Sequence, residues 1–523
     1  MPSPSPRTCS VLVYGGTPAG VIAAVAAARR GGTVVLVEPS GHLGGLSSSG
    51  VVTAEYEHML QESYSGLPLE VYKRIGAAYG FDAPIFHWEP HIAESVFDDL
   101  VAESGVTVLL RDELDTVTKS GARIHDITLA SGQIIRAETY IDCTYEGDLM
   151  ALSGAQYTWG RESPQEYGED LAGVVFIEDS SAVAEYGSGK TIDEVIPVSP
   201  YRDGVLLEGF VDQREVHPGA ADRKTANYHY RVTLSSADDR LPFEPPAGYT
   251  PERYLAYQRY FEAMPEAGVR DLIDITPHAS GQYQVRTDGK TRALPGLKWE
   301  MNNRQDRPLS LGHLGGQFDY PDADRHARRA IVADHRNHNQ GLLYFLANDP
   351  GVPIHVRRDL ANLGLPADEY IDNDHWPYSL YVREARRLVG DVVHTQHDVL
   401  ENRDKADVVG IASHWIDSHY VQRVAVSVAG FRGEGRVWRP VTKAYAMPYS
   451  LMLPQRALVE NLLVPVAVSA SRVAFCSLRV EAQWMALGEA AGVAASIAAG
   501  DAVQDVPIDT LQAHLRAAGV AIP

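Results

Sequence analysis

The stretch "SVLVYGGTPAGVIAAVAAARRGGTVVLVE", residues 10–38, decides the fold. Ser10 to Tyr14 is a short apolar run suited to a buried parallel strand, and "AGVIAAVAAARRGG" is an Ala-rich helix with Gly31 and Gly32 to stop it. A second apolar run, "TVVLVE", ends in Glu38. Strand, glycine turn, helix and strand, with an acidic residue about twenty positions past the first glycine, is the pattern of a dinucleotide site. The turn brings the backbone to a pyrophosphate at the helix N-terminus, and the carboxylate accepts from an adenosine ribose. Glu38 fits that role and disfavours a 2'-phosphate.

With Gly15 and Gly20 as the outer glycines, the middle position of G-x-G-x-x-G falls on Thr17. Followed by Pro18, Thr17 reads as an N-cap with proline in the first helical turn, its hydroxyl either capping the helix or reaching a phosphate oxygen. A G-x-x-x-x-G alone is equally a tight strand-helix turn; the flanking elements and Glu38 in register favour the dinucleotide.

Immediately after Glu38 comes "PSGHLGGLSSSG", residues 39–50, at the carboxyl end of the second strand and beside the pyrophosphate crevice. Nicotinamide-binding units usually continue into an ordinary helix there, whereas flavoproteins often set such a loop against the ribityl phosphate. Backbone N–H groups of Gly44 and Gly45, with the hydroxyls of Ser47 and Ser48, can hold that phosphate without a net positive charge. A solvated loop is the plain alternative.

From residue 106, "VTVLLRDELDTVTKSGARIHDITLASGQIIRAETYIDCTYEGD" reads as a β-meander ending in a buried strand and the segment Asp142 to Asp148. Here the sequence resembles the FAD-dependent oxidoreductase family of the glutathione-reductase-like flavoprotein fold. The resemblance rests on "VLVYGGTPAGVIAA", "PSGHLGGLSSSG", "YIDCTYEGDLMALSGAQYTWGRE", "YVREARRLVGD", "IDSHYVQR" and "NLLVPVAVSASRVAFCSLRVEAQWMALGEAAGVAAS", taken in order. GGTPAG is the usual fingerprint of that family.

The resemblance implies an α/β architecture: a Rossmann-like FAD-binding domain with a β-meander, built discontinuously from residues 1–160 and 441–523, and a large inserted α+β cap or substrate domain over 161–440. It implies noncovalent FAD, with Gly15, Gly16, Thr17, Pro18, Ala19 and Gly20 at the pyrophosphate and Glu38 at the ribose. Pro39, Ser40, Gly44, Gly45, Leu46 and Ser47 then form the second loop, and the Leu114 backbone meets the adenine. Cys143, Thr144 and Asp148 follow the buried strand, and Arg479 and Gln483 flank the start of the last long helix. That helix, "EAQWMALGEAAGVAASIAAG", offers small residues where a flavin ring can lie close, and its N-terminus offers positive potential to the N1/O2 edge. The family usually has histidine and proline where this chain has Arg472 and Ala482, and methionine where it has Val480, so the substrate can differ from the commoner ones.

The chain has 523 residues, long for one core. Its 68 acidic against 46 basic residues give a formal charge of -22, which argues against nucleic acid and anionic membranes as partners. "MPSPSPRT" lacks the pattern of a secretory signal and no stretch reaches the length of a membrane span, so a cytoplasmic protein is expected, monomeric or homodimeric. Three cysteines, Cys9, Cys143 and Cys476, lie far apart without C-x-x-C, so redox chemistry must rest on a bound organic cofactor.

Flavin oxidation of an alcohol needs a hydride path to N5 and a base for the hydroxyl proton. His397 in "HTQHD", His419 in "IDSHYVQR" and His375 in "DNDHWP" are the candidates; the first two adjoin Asp398 and Asp417. "YVREARR" places Arg383 and Arg386 at i, i+3 on a helical face, able to clamp a carboxylate or sugar hydroxyls, while Glu384 and Arg387 can form an ordinary ion pair. Arg472 faces the flavin or substrate by the resemblance. His42 is expected in the phosphate loop and not as a covalent flavin link. His335 and His338, like His394 and His397, can pair on a metal if helical, but spacing fixes no third ligand and no metal is expected. The second "GHLGG", residues 312–316, lacks the flanking strand and helix.

These features suggest a dehydrogenase or oxidase taking a hydride from a small polar metabolite, reoxidised by oxygen or an external acceptor because no second nucleotide fingerprint is present. A flavin monooxygenase is the nearest alternative, and a flavin-free binding or scaffold protein on the same fold is the alternative of another class. No G-x-S-x-G elbow is present for a serine hydrolase.

Overall fold

In the computed structural model, which describes residues 6–55, 59–177, 194–278 and 298–523, the opening pattern folds as β1 (Arg7–Tyr14), α1 (Pro18–Ala28) and β2 (Val34–Glu38). Two amphipathic helices, α2 (Gly66–Ala78) and α3 (Pro90–Glu103), carry the chain to β3 (Thr107–Leu110). The meander follows as β4 (Leu114–Ser120), β5 (Arg123–Leu129) and β6 (Ile134–Asp142). These strands make one sheet in the order β3-β2-β1-β6-β5-β4, parallel from β3 through β6 and antiparallel through the meander. Of "NLLVPVAV", only Leu462–Leu463 adds to it, parallel to β6 beside Tyr140 and Ile141.

The C-terminal helix Glu481–Ala498 packs on α1, and its small residues explain how. A Cβ on Gly488 would collide with the carbonyl oxygen of Ala19, and one on Gly492 would meet the carbonyl of Ala23 and stand 2.9 Å from Ala26 Cβ. Two of the small residues that the sequence reading offered to a flavin ring, Gly488 and Gly492, serve helix-helix contact. Close backbone approach is their physical requirement, and α1 meets it with alanines.

One core joins residues from Val11 to Ile141 with residues from Val399 to Val520 on this face of the sheet. It takes in Val399, Val409, Ala412 and Ile416, which the sequence reading grouped with the cap. A separate core runs from Ile196 to Ala385 and includes Phe431. In it the helix Arg325–Asn348 buries Leu342, Leu343, Phe345 and Leu346, alongside an antiparallel sheet of Val232–Ser235, Lys298–Asn303 and Ile273–His278. Among the described residues, no helix is long and apolar enough to cross a membrane.

Candidate functional site

The glycine turn is built by contacts that only glycine permits. Gly15 has φ +100°, its N–H donates to Val37 O at 2.8 Å, and a Cβ there would stand 2.8 Å from the Cys143 carbonyl carbon. A Cβ on Gly20 would collide with Gly15 O. Thr17 is the N-cap of α1: its hydroxyl accepts from Gly20 N at 3.3 Å and donates to Cys143 O at 2.8 Å. The hydroxyl thus caps the helix and ties the turn to the end of β6, with Pro18 in the first turn and Ala19 against the C-terminal helix.

Glu38 braces the two loops. Its Oε2 accepts from Gly16 N at 2.6 Å and its Oε1 from Ser40 N at 2.7 Å, next to Pro39. Burial raises its pKa, against the pull of those hydrogen bonds from Ser40 and Gly16. Each carboxylate oxygen keeps acceptor capacity for a ribose hydroxyl. In the second loop Gly44 and Gly45 take φ of +91° and +47°, and Gly44 N donates to Gly16 O at 2.8 Å. A Cβ on Gly45 would lie 3.2 Å from Thr17 Cα, so the two glycine loops are in direct contact. Leu46 N donates to Tyr145 Oη at 3.0 Å, Ser47 O accepts from Trp88 Nε1 at 2.8 Å, and the Ser48 hydroxyl closes the loop on Leu43 O at 2.6 Å.

Behind these loops, Thr144 donates through N and Oγ1 to Asp142, whose carboxyl burial pushes up to about 6. Cys143 is buried, which pushes its thiol up. Asp148 pairs with Arg328 at 2.7 Å and Arg386 at 2.8 Å, and Leu114 N donates to Tyr14 Oη at 3.0 Å. His42 lies in the loop as expected, hydrogen-bonded to Glu94 at 2.7 Å and stacked on Tyr378.

A narrow cavity of ≈30 Å³ opens where the second loop meets the start of the C-terminal helix. Leu46, Thr53 and Glu55 line it from the N-terminal part of the chain, Tyr381, His414 and Asp417 from the middle, and Arg479, Glu481 and Trp484 from around the start of the C-terminal helix. Glu481 Oε1 accepts from Tyr145 at 2.5 Å, its Oε2 and the Trp484 Nε1 are buried without a partner, and burial pushes the Glu481 carboxyl up to about 8. Gln483 positions the His414 segment, accepting from Ser413 N at 3.0 Å and His414 N at 3.1 Å. Arg479 donates to Tyr381 Oη at 3.1 Å and to Asp417 O, and stands 3.4 Å from the Asp417 carboxylate.

The segment 381–388 is extended and not helical, which corrects the expected i, i+3 face. Its backbone bonds go to distant chain: Tyr381 N to His229 O, Leu388 N to Ala467 O. Those pairings hold the two ends of the segment to distant chain in place of internal helical bonds. Glu384 accordingly pairs with Arg472 at 3.0 Å, and Arg387 with Glu162, instead of with each other. Arg383 and Arg386 separate: Arg386 goes to Asp148 and Asp322, while Arg383 is buried against Tyr381, its guanidinium 4.5 Å from the ring centroid. Arg472 also donates to Ser418 Oγ at 2.6 Å.

The three candidate histidines occupy different places. His419 is buried in the Arg383 region, its Nδ1 facing Asn303 Nδ2 at 3.2 Å and its Nε2 3.7 Å from Asp417. Burial first, then Arg383 and Arg479, hold its pKa well below the usual histidine range. With Asn303 Oδ1 accepting from Gly312 N at 2.9 Å, the amide NH₂ is the group turned to His419, so Nδ1 accepts and its lone pair is occupied. His397 pairs with Glu401 at 3.0 Å and Gly168 O at 3.1 Å, and its neighbour Asp398 pairs with Lys405. His375 lies over Pro366 O and Glu369 O, both at 3.2 Å. The cavity histidine is His414, which sequence reasoning passed over, as it did Tyr381 and Arg231; His414 lies in the same run, "SHWIDSH", as His419.

Two groups of metal-ligand side chains occur among the described residues, Glu89, His91, Glu369 and Glu208, His313, Asp334. Each already surrounds a fixed cation. Lys298 Nζ is 2.6 Å from Glu369 and 2.9 Å from Glu89, and Arg253 Nη2 is 2.8 Å from Asp334 and 3.0 Å from His313. His335 and His338 do share a helix; His394 precedes the helix that holds His397.

A parallel sheet with a glycine turn at the β1–α1 junction, an acidic residue ending β2 and a meander inserted before β6 defines a dinucleotide-cofactor flavoprotein fold. The chain belongs to the FAD dependent oxidoreductase family, whose model matches residues 10–515. Its cofactor is FAD. The residues fit that group: glycines whose Cβ atoms would fill the turn, and buried Glu481 and Trp484 polar atoms without partners at the cavity. Among proteins of curated function, no sequence matches the chain. Solved structures similar to part of it include L-proline dehydrogenase from P. horikoshii, at 15% identity and a TM-score of 0.23 over 30% of this chain and 59% of that one. Another is NikD, an amino acid oxidase essential for nikkomycin biosynthesis, at 15% identity and a TM-score of 0.22 over 30% and 56%. A third is the anhydrotetracycline hydroxylase OxyS from Streptomyces rimosus, at 13% identity and 0.22 over 30% and 36%. The chain thus spans less than two thirds of the length of each.

Proposed function

We propose that this protein is an FAD-dependent dehydrogenase or oxidase that removes a hydride from a small polar metabolite in the cavity at the start of the C-terminal helix. The observation that carries the reading is the meeting of the end of the second glycine loop, which touches the first through Gly45 and Thr17, with the N-terminus of helix Glu481–Ala498 and the polar wall of Tyr381, His414, Asp417 and Arg479. FAD, when bound, would supply the two-electron acceptor for the hydride. Gly15 to Gly20 and Gly44 to Ser47 hold its phosphates, and Glu38 its ribose. The segment built on the separate core from Ile196 to Ala385 supplies the substrate-facing cap.

His414 takes the hydroxyl proton, because its ring lines the cavity while the Nδ1 of His419 is committed to Asn303. His419 instead orients that wall through Asn303 and Asp417. Tyr381, fixed by Arg479, positions the polar end of the substrate. The buried walls exclude water from the reacting carbon.

The test is the visible spectrum of purified protein before and after acid precipitation, followed by anaerobic addition of pooled metabolites. A flavin released into the supernatant and bleached by one pool is the expected result. Protein that stays colourless after reconstitution with FAD overturns the reading.

A further inference from the structure

We infer that the substrate carries a carboxylate, or an equally compact monoanion, received by Arg383 together with Arg231 and Arg479 around Tyr381. The inference rests on the proposed function, since it assigns a chemical class to the molecule oxidised in that cavity.

Three guanidinium groups surround one cavity-lining phenol. Arg383 lies 4.5 Å and Arg231 5.7 Å from the Tyr381 ring centroid, and Arg479 donates to Tyr381 Oη at 3.1 Å. Two have carboxylates: Arg231 contacts Glu300, and Arg479 stands 3.4 Å from Asp417. Arg383 does not. Its Nη1 donates to Asn227 O at 2.6 Å and faces His229 Nδ1 at 3.1 Å, while its Nε and Nη2 are buried with no partner. Among the described residues no carboxylate lies within ion-pair distance of it.

The surrounding buried arginines show what is missing. Arg161 is paired with Glu434 and Asp222, Arg387 with Glu162, and Arg472 with Glu384. Charge compensation is the rule in this interior, as burial of an ion demands. Arg423 donates to the carbonyls of Pro308 and Gly312 in place of a carboxylate, whereas Arg383 has no carboxylate and keeps two donor directions unfilled. Burial, reinforced by Arg479 and Arg231, pulls its pKa down to about 9, while burial and then Arg383 itself hold His229 and His419 well below the usual histidine range. A planar anion entering past Tyr381 matches the geometry of a guanidinium fork, whereas a neutral hydroxyl leaves the charge uncompensated. Arg383 does not itself line the cavity, so an anion reaching it must displace the Tyr381 ring from its hydrogen bond to Arg479.

The test compares matched probes on the same protein: acetate, propionate and benzoate against acetamide, propionamide and benzamide. Binding to FAD-saturated protein is read from the shift in the flavin absorption bands, with flavin retention checked by filtration. Carboxylates are expected to bind at least about ten-fold more tightly than their amides, the margin of a charge-assisted bidentate contact. Arg383→Met is expected to abolish that preference, and Arg383→Lys to retain part of it, with flavin content unchanged. Equal binding of acids and amides, no saturable carboxylate binding, or carboxylates that displace FAD would each overturn the inference; the last would assign the cations to the cofactor. The comparison on the unaltered protein needs no variant to fold. If the protein takes up no FAD, the functional reading fails by itself, and tryptophan fluorescence with the same probes still decides the carboxylate site.

Discussion

Replacing Glu481 with glutamine tests whether the cavity wall is as dry as it looks. The wild-type carboxyl is pushed up to about 8 by burial, against the pull of Tyr145. An ordinary glutamate in the unfolded chain titrates near 4.3. Because the folded value is the higher one, the stabilising contribution is fully present below the unfolded value and is lost as pH rises through the folded value. Over that window the folded chain holds a proton the unfolded chain has released, so stability falls by ~1.4 kcal/mol per pH unit from this group. Between pH 5 and 8 the loss is on the order of 3–4 kcal/mol. Glu481→Gln removes the titration while keeping an acceptor for the Tyr145 hydroxyl, so its stability should vary with pH less steeply by that amount. Asp142 and Glu489, held up at about 6 and about 7, add slopes of the same sign to both proteins and cancel in the comparison. Denaturant unfolding of FAD-saturated wild type and variant at pH 5, 6, 7 and 8 measures the difference. Parallel pH profiles would refute the reasoning and show that Glu481 is ionised and solvated in the fold.

Further outcomes follow from contacts described above. Thr17→Ala removes both the cap to Gly20 and the bond to Cys143, and should cost about 1–2 kcal/mol in unfolding free energy, with weaker FAD retention; unchanged stability would dismiss the cap. Gly488→Val drives a side chain into the Ala19 carbonyl and should cost upwards of about 3 kcal/mol, seen as lost soluble expression or a large fall in Tm, whereas a wild-type Tm would show that the two helices part easily. Once a reducing substrate is found, His414→Asn should slow single-turnover bleaching by roughly 10²-fold or more, and His419→Ala by much less; the reverse order would return the base to His419.

The nucleotide half of the fold was legible because its signals are local. Gly15, Gly20, Thr17-Pro18 and Glu38 each have a conformational or capping reason readable within thirty residues of chain. The site was harder, because its chemistry is assembled from afar. Glu384 looks like a partner of Arg387 until Arg472, across the chain, proves closer, and no periodicity in "YVREARRL" reveals that His229 and Ala467 will claim its ends. Arg231 sits in an ordinary strand-like run and acquires meaning only when Tyr381 and Arg479 arrive beside it. His397 has a carboxylate neighbour in sequence, but Asp398 turns to Lys405 and the Thr395 N–H, since a helix points adjacent side chains apart.

The pairing of Leu462–Leu463 with β6, and of α1 with helix Glu481–Ala498, has a consequence for how the chain acquires its structure. During synthesis the alanine face of α1 emerges more than four hundred residues before the helix that covers it. The intervening segment, with its own core from Ile196 to Ala385, can collapse while the first sheet still waits for its last strand. Long-range closure of this kind is slow and exposes apolar surface meanwhile. Nascent chains arrested before residue 460 should therefore yield a protease-resistant middle and a digestible beginning, with resistance at the beginning returning only when the last helix is released.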